Sequence, residues 1–195
     1  MNKLMGFYEL KAMGLPAVDW NEYSGKESLD SSMLWTIRCA VYKGNDLNLP
    51  RLVGAESHKA IEFADSLKKK IGDNGIVIFY PYFIAVKSGT LNVFSDKMVI
   101  EAVKEDLWNL VTFSKRDVTI IIRDKDNEYF GNSEFLSEEE LQKILKHVPE
   151  IRRCFKDELT CGSSVMLEWS FAYNCDIHRN KAGEQYLVFY EARTV

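Results

Sequence analysis

Four of the most apolar segments of this chain each carry a glutamate near their centre. These segments are residues 7–10, 99–102, 167–169 and 189–192, and their glutamates are Glu9, Glu101, Glu168 and Glu191. Glutamate is uncommon in strands, and an ionised carboxylate is costly to bury unless it is paired or hydrogen-bonded. If these segments are strands, the glutamates lie either on the solvated face of a sheet or on the floor of a site.

The composition predicts a soluble globular protein with a single domain over residues 1–195. A domain of 195 residues buries about 70% of its unfolded surface, and contents of 46% apolar and 28% charged residues are ordinary for this class. No apolar run approaches the roughly 20 residues that a membrane helix needs. Glu9 and Lys11 interrupt any signal-peptide core, so we expect a cytoplasmic protein that does not bind a membrane.

The charge and the cysteines exclude further classes. The net charge is −4, and lysine and arginine are scattered along the chain. Nucleic-acid binding depends on neutralising phosphates with basic residues, so we expect no nucleic acid as a partner. The four cysteines have no CxxC spacing and are expected to be reduced thiols.

The order of the predicted elements indicates an α+β domain, with a mixed, mostly antiparallel sheet and flanking helices. The first half is predicted to contain a strand over 4–13, helices over 30–43 and 55–71, and a meander of strands over 75–87, 90–94 and 97–103. The second half is predicted to contain a helix over 104–113, a strand over 117–123, a helix from a capping box at 137–140 to about 159, and strands over 163–173 and 185–194. The order is therefore β-α-α-β-β-β-α-β-α-β-β.

This order is similar to that of the GNAT fold of N-acetyltransferases. The segments 9–16, 46–51 and 167–172 also resemble an uncharacterised family of small bacterial proteins that is grouped with the acyltransferase-like folds. The resemblance covers nearly the whole chain. It implies a GNAT-like fold and, for an active member, acyl-CoA as the cofactor.

The chain departs from the acetyltransferases at the loop that binds the cofactor. In those enzymes a glycine-containing loop between the fourth strand and the third helix binds the pyrophosphate of acyl-CoA through backbone N–H groups. The corresponding segment, residues 100–108, has no glycine, and Glu105 and Asp106 would repel a pyrophosphate. The resemblance therefore assigns no cofactor-binding residues, and the cofactor stays unknown.

Glu168 is the first candidate for a catalytic residue, and Glu191 is the second. Alternation places Glu168 on a strand face with the small residues Ser170 and Ala172, which leaves room above it for another element or a ligand. A buried glutamate can act as a general base on an amine. Two alternatives stay open: a solvated face with cross-strand pairs, such as Glu191 or Glu9 against Lys11 or Arg193, or an acidic metal cluster, for which no motif fixes a geometry.

The loop over 44–54 is the second candidate site. Asp46, Asn48 and Arg51 are clustered there, and Arg51 together with the N-terminus of the following helix could hold a carboxylate or phosphate. The alternative is that the polar residues cap turns and that Arg51 is a surface residue. Arg38, on the apolar stripe of the helix predicted over 30–43, either extends its charged end to solvent or pairs with one of the glutamates.

The sequence leaves two functions open and does not decide whether the protein is an enzyme. The first is a small-molecule N-acyltransferase or a divergent ligand-binding relative, acting on a small anionic or amine ligand. The second is a non-enzymatic binding or oligomeric assembly protein that reuses the fold. Its motivation is the aromatic segment 79–83, since aromatic residues are enriched at interfaces and a homo-oligomer could form there.

Overall fold

The structure is a computed structural model that describes residues 3–44, 49–124 and 126–195. The elements of its first half are α1 (Lys3–Ala12), β1 (Asn21–Glu22), β2 (Leu34–Val41), β3 (Leu52–Glu56), α2 (Ser57–Ile71), a 3-10 turn (Gly72–Asn74), β4 (Gly75–Pro81) and β5 (Phe83–Val93). Those of its second half are β6 (Met98–Lys104), α3 (Trp108–Phe113), β7 (Val118–Ile122), β8 (Asn127–Gly131), α4 (Glu138–Leu145), α5 (Val148–Cys154), α6 (Lys156–Thr160), β9 (Val165–Cys175) and β10 (Lys181–Thr194).

The strands form two sheets, and the chain divides into two compact units. The first unit comprises Met1–Ala17, Ala85–Ala172 and Gln185–Val195, and the second comprises Val18–Ile84 and Tyr173–Glu184. One sheet has the strand order β10-β9-β5-β6-β7-β8, and the other has the order β1-β4-β2-β3. The predicted α+β class with mostly antiparallel strands is confirmed, whereas the GNAT-like order is not supported. The single domain over 1–195 stays a prediction.

Each unit has its own hydrophobic core. In the first unit, Ile100 and Trp169 of the sheet and Ile144 of α4 have no exposed surface and belong to one apolar cluster. In the second unit, Ala60 and Ala64 of α2 are equally buried and belong to a cluster with residues of β2 and β4. The helix predicted over 55–71 is therefore confirmed as α2.

The segment predicted as a strand over 4–13 is the helix α1. Phe7, Leu10 and Met13 are buried at intervals of three residues, which is the period of a helix and not that of a strand. A Cβ atom on Gly6 would lie 2.0 Å from the carbonyl oxygen of Ala192, so glycine is needed there for α1 to approach β10. Glu9 consequently lies on a helix, and the strand prediction for it was wrong.

The segment predicted as a helix over 30–43 contains the strand β2. Seven of its eight residues, from Leu34 to Ala40, are buried, because β2 pairs with β4 on one side and with β3 on the other. A strand that is buried on both faces reads as a continuous apolar run, which periodicity alone does not distinguish from a buried helix. The spacing of Leu34, Ile37 and Val41 also fits the apolar stripe of a helix, and a helix was therefore predicted.

The predicted boundary between the first two strands of the meander over 75–103, at residues 88–89, was also wrong. The chain leaves β4 at Tyr82 and enters β5, which continues through Ser88 and Gly89 into the six-stranded sheet. Gly89 does not mark a turn. A Cβ atom there would lie 2.0 Å from the carbonyl oxygen of Glu101 and 2.5 Å from Cζ2 of Trp169, so the glycine makes room for an indole ring.

Several predictions in the second half are confirmed. The capping box at Ser137 and Glu140 begins α4, and β7, β9 and β10 correspond to the strands predicted over 117–123, 163–173 and 185–194. The short strands β1, β3 and β8 were missed. Within the described part of the chain, no helix is long and apolar enough to cross a membrane.

Candidate functional site

Three charged side chains meet on the neighbouring strands β9 and β10, and we call them the charged cluster. They are Glu168 of β9 and Glu191 and Arg193 of β10. Nη2 of Arg193 donates to Oε1 of Glu191 at 2.6 Å and to Oε1 of Glu168 at 3.3 Å. One guanidinium thus bridges the two glutamates that the sequence offered as catalytic residues.

The strand geometry explains why these groups come together. Residues two apart on a strand point to the same face, so Glu191 and Arg193 lie side by side on β10. The opposite face of β9 is core, because Leu167 and Trp169 have no exposed surface. The sequence offered a pair with Arg193 only under the alternative of a solvated face. The structure instead buries Glu191 and adds Glu168 from the neighbouring strand.

The face that carries the charged cluster is largely shielded from solvent. Glu191 is 2% exposed, and the side chains of Glu168 and Arg193 are 13% and 26% exposed. Burying an ionised carboxylate is unfavourable unless a cation and hydrogen bonds compensate it, and Arg193 supplies both. Breaking a buried pair of this kind costs about 3–5 kcal/mol in other proteins, a value that the partial exposure of Arg193 reduces.

A second network of hydroxyl groups lies on the same face of β9. Ser170 is 1% exposed, and its Oγ lies 2.8 Å from Oγ of Ser88 on β5. Oγ of Ser88 in turn donates to the carbonyl oxygen of Glu105 at 2.6 Å. Glu105 itself has a positive φ of 64°. The small residues beside Glu168 are therefore covered, and this hydroxyl network joins β5 and β9 to the segment before α3.

The other predicted ligand residues lie in the second unit. Asp46 and Asn48 lie outside the described residues. Arg38 is in the centre of β2 and is 8% exposed, whereas Arg51 is exposed and directly precedes β3. The strand β3 separates Arg51 from the N-terminus of α2 by five residues, or about 17 Å, so these two features do not share one small anion.

The structure instead brings Arg51 next to Arg38. Leu52 is opposite Ile37 in the ladder of β2 and β3, and Sγ of Cys39 donates to the carbonyl oxygen of Pro50 at 3.5 Å. The backbone of Arg51 therefore lies beside that of Arg38, at the roughly 5 Å that separates antiparallel neighbours. The sequence could not show this, because a helix was predicted for the segment that contains Arg38.

The comparisons with known proteins rest on structure alone. No protein-family model matches the sequence, and no curated protein matches it. The chain is similar to D-alanine–D-alanine ligase from Helicobacter pylori, with a TM-score of 0.52 and 12% identity over 98% of this chain and 50% of that chain. A macrocyclase from Microcystis aeruginosa, bound with its precursor peptide, has a TM-score of 0.49 and 9% identity over 97% and 51%. An L-amino acid ligase from Bacillus licheniformis has a TM-score of 0.48 and 16% identity over 98% and 42%.

The fold is similar to that of the ATP-grasp ligases. This likeness overturns the resemblance to the GNAT acyltransferases, together with the acyltransferase function inferred from it. The misreading has a physical origin: the GNAT order needs a strand at the N-terminus and a helix over 30–43, and the structure has α1 and β2 there. The chain spans about half of the length of the ligases it matches.

Proposed function

We propose that this chain binds ATP and forms the nucleotide-binding part of an ATP-dependent ligase. The observation that carries the proposal is the likeness of fold to D-alanine–D-alanine ligase, which extends over 98% of this chain. Because one fold serves many functions, the proposal also requires residues that suit a nucleotide triphosphate. It concerns nucleotide binding first, since the chain corresponds to half of that ligase.

Arg38 and Arg51 are the proposed phosphate-binding residues. Guanidinium groups bind phosphate oxygens with paired, charge-assisted hydrogen bonds, and Arg38 and Arg51 have neighbouring backbone positions on β2 and just before β3. The position of Arg38 in a central, buried strand fixes one of them rigidly. Asp46 and Asn48, which precede Arg51 in the sequence, stay proposed ligand-binding residues of the same segment.

Glu168 and Glu191 are proposed to act on the substrate that is joined. The ligase with the similar fold is named for D-alanine, which carries an amine, and a carboxylate within reach of an amine can remove its proton as a general base. Glu168 is the proposed base because it is the more exposed of the two. Glu191, whose side chain is buried, positions Arg193 and through it Glu168.

The proposal is tested by isothermal titration calorimetry with ATP and with a non-hydrolysable ATP analogue, each in the presence of Mg²⁺. We expect one nucleotide per chain. Thermal unfolding gives a second readout. At 100 times its dissociation constant the nucleotide adds about 2.7 kcal/mol to the free energy of unfolding, which for a domain of this size raises the melting temperature by about 5–10 °C. Inorganic triphosphate should compete, because the arginines bind the phosphates.

Arg51→Met is the variant that assigns the site, because Arg51 is exposed and its loss does not disturb a core. A charge-assisted hydrogen bond contributes about 1.5–3 kcal/mol, so we expect ATP to bind about 10- to 100-fold more weakly. Arg153→Met, which removes an exposed arginine of α5 in the other unit, is the matched control and should bind as the wild type does. Absence of ATP binding at millimolar concentration would contradict the proposal, and equal affinities of the two variants would contradict the assignment to Arg51.

A further inference from the structure

A guanidinium occupies the position between two carboxylates where a metal ion would otherwise be expected. Nη2 of Arg193 lies 2.6 Å from Oε1 of Glu191 and 3.3 Å from Oε1 of Glu168. Proteins that bind ATP commonly hold Mg²⁺ with one or two carboxylates together with the phosphates. If this chain handles ATP as proposed above, a divalent cation accompanies the nucleotide, and within the first unit this carboxylate pair is the donor set to compare with the needs of such a cation.

The charged cluster does not fit a divalent cation. Mg²⁺ binds oxygens at 2.0–2.1 Å in octahedral geometry and gives up its water reluctantly, so it needs the oxygens to which Nη2 of Arg193 already donates. Among the described residues, no group of three or more histidine, cysteine, aspartate or glutamate side chains could hold a metal ion. A cation entering here would have to displace Arg193 and would find two carboxylates to bind it.

The position of Arg193 on β10 also opposes its displacement by a cation. It is two residues from Glu191 on one strand, so the backbone itself keeps the guanidinium beside the most buried carboxylate. Its Nε atom is buried as well, so this edge of the guanidinium is enclosed, although the side chain as a whole is 26% exposed. Moving the guanidinium away would leave Glu191, at 2% exposure, without this cation.

We infer that Arg193 takes the place of a divalent cation between Glu168 and Glu191. The two carboxylates then have a cation between them whether or not a metal ion is in solution. Arg193 is thus a specificity-determining residue: it closes this carboxylate pair to metal ions. The inference uses the proposed ATP binding only as the reason to expect a metal.

The test measures binding of Mn²⁺ alone, by electron paramagnetic resonance and without nucleotide, to the wild type, three single variants and one double variant. Arg193→Met removes the charge and keeps an apolar side chain, Arg193→Lys keeps a cation, and Glu191→Gln removes one carboxylate. We expect the wild type, Arg193→Lys and Glu191→Gln to show the same weak background binding. Arg193→Met should gain one Mn²⁺ site that is at least tenfold tighter than this background and that is lost again in the double variant with Glu191→Gln.

Two results would overturn the inference. The first is a Mn²⁺ site in the wild type that Glu191→Gln abolishes, which needs no variant of Arg193 to be folded. The second is a folded Arg193→Met variant, verified by circular dichroism, that binds Mn²⁺ no better than the wild type. Because no nucleotide is present, neither result depends on ATP binding, and failure of the titration with ATP would leave these outcomes unchanged.

Discussion

The two units place their polar side chains in different ways. In the first unit, charged side chains pair with each other inside the structure: Arg193 bridges Glu168 and Glu191, and Nζ of Lys87 donates to Glu140 at 2.6 Å. These pairs join separate strands and helices and are largely shielded from water. Their loss leaves a charge without its counterpart, which is the costly case for a buried pair.

In the second unit, polar side chains bind the backbone of loops. The carboxylate of Glu27 accepts from the backbone N–H groups of Ser24, Gly25 and Lys26 at 2.9–3.0 Å, and Nε1 of Trp35 donates to the carbonyl oxygen of Asp30 at 2.9 Å. Such bonds satisfy backbone groups that the sheet does not use. We therefore expect the loss of a charged side chain to lower the free energy of unfolding most in the first unit. In the second unit we expect the free energy of unfolding to change mainly with pH.

The largest effect is expected from steric change, which should affect both units alike. Gly89→Ala in the first unit and Gly75→Ala in the second each place a Cβ atom 2.0–2.2 Å from a backbone carbonyl oxygen. We expect each to lower the free energy of unfolding by about 3 kcal/mol and the melting temperature by about 6–12 °C, measured by urea and thermal unfolding. Gly162→Ala, where no atom lies within 4 Å but φ is 88°, should cost only about 1 kcal/mol. Equal losses in all three variants would contradict the close contacts.

The next largest effect separates the units. Glu191→Gln removes one of the carboxylates bound to Arg193, and we expect a loss of about 2 kcal/mol in the free energy of unfolding, since a hydrogen bond to a charged group contributes about 1.5–3 kcal/mol. Glu150→Gln breaks an exposed pair with Arg153 and should change stability by less than about 0.5 kcal/mol. If the two variants are equally stable in urea, the charged cluster does not stabilise the first unit.

Tyr23 should make the second unit sensitive to alkali. Burial and the hydrogen bond to Asp65, at 3.0 Å, raise the pKa of Tyr23 to about 12. A raised pKa means that the phenol stabilises the fold fully below pH 10 and that this contribution is lost as the pH rises through 12. Tyr23→Phe should therefore be less stable than the wild type by about 1 kcal/mol at pH 9, and the difference should shrink at pH 11. A difference that is constant between these pH values in urea unfolding would refute this origin.

Glu27 should give the smallest effect, at acid pH. Burial alone would raise the pKa of Glu27, but the hydrogen bonds from Ser24 and the adjoining backbone lower it to about 2. A lowered pKa means that the carboxylate stabilises the fold above about pH 4.5 and that this contribution is lost as the pH falls towards 2. Glu27→Gln should flatten the decline of stability between pH 5 and pH 3, as followed by urea midpoints. Identical declines in the variant and the wild type would be the contrary result.

The sequence predicted best those elements whose signals are local. The capping box of Ser137 and Glu140 and the alternation in β9 and β10 depend on residues within a few positions of each other, and they were read correctly. The strand β2 was misread because its burial comes from β3 and β4 on either side. Gly89 was read as a turn because its real constraint, the indole of Trp169, is 80 residues away in the sequence.

The candidate site was likewise predicted only in its local features. Alternation placed Glu191 and Arg193 on one face, and both Glu168 and Glu191 were named from their apolar surroundings. The burial of that face and the bridge to Glu168 depend on which strands become neighbours, which the assumed acyltransferase order did not provide. The proximity of Arg38 and Arg51 was hidden for the same reason, since it follows from the pairing of β2 with β3.

The proposed binding of ATP through the second unit is best tested by a crystal structure of the chain with Mg²⁺ and a non-hydrolysable ATP analogue. We expect one nucleotide whose phosphates contact the guanidinium groups of Arg38 and Arg51. Crystals grown at a saturating concentration of the analogue that contain no nucleotide, or a nucleotide whose phosphates lie away from both arginines, would contradict it.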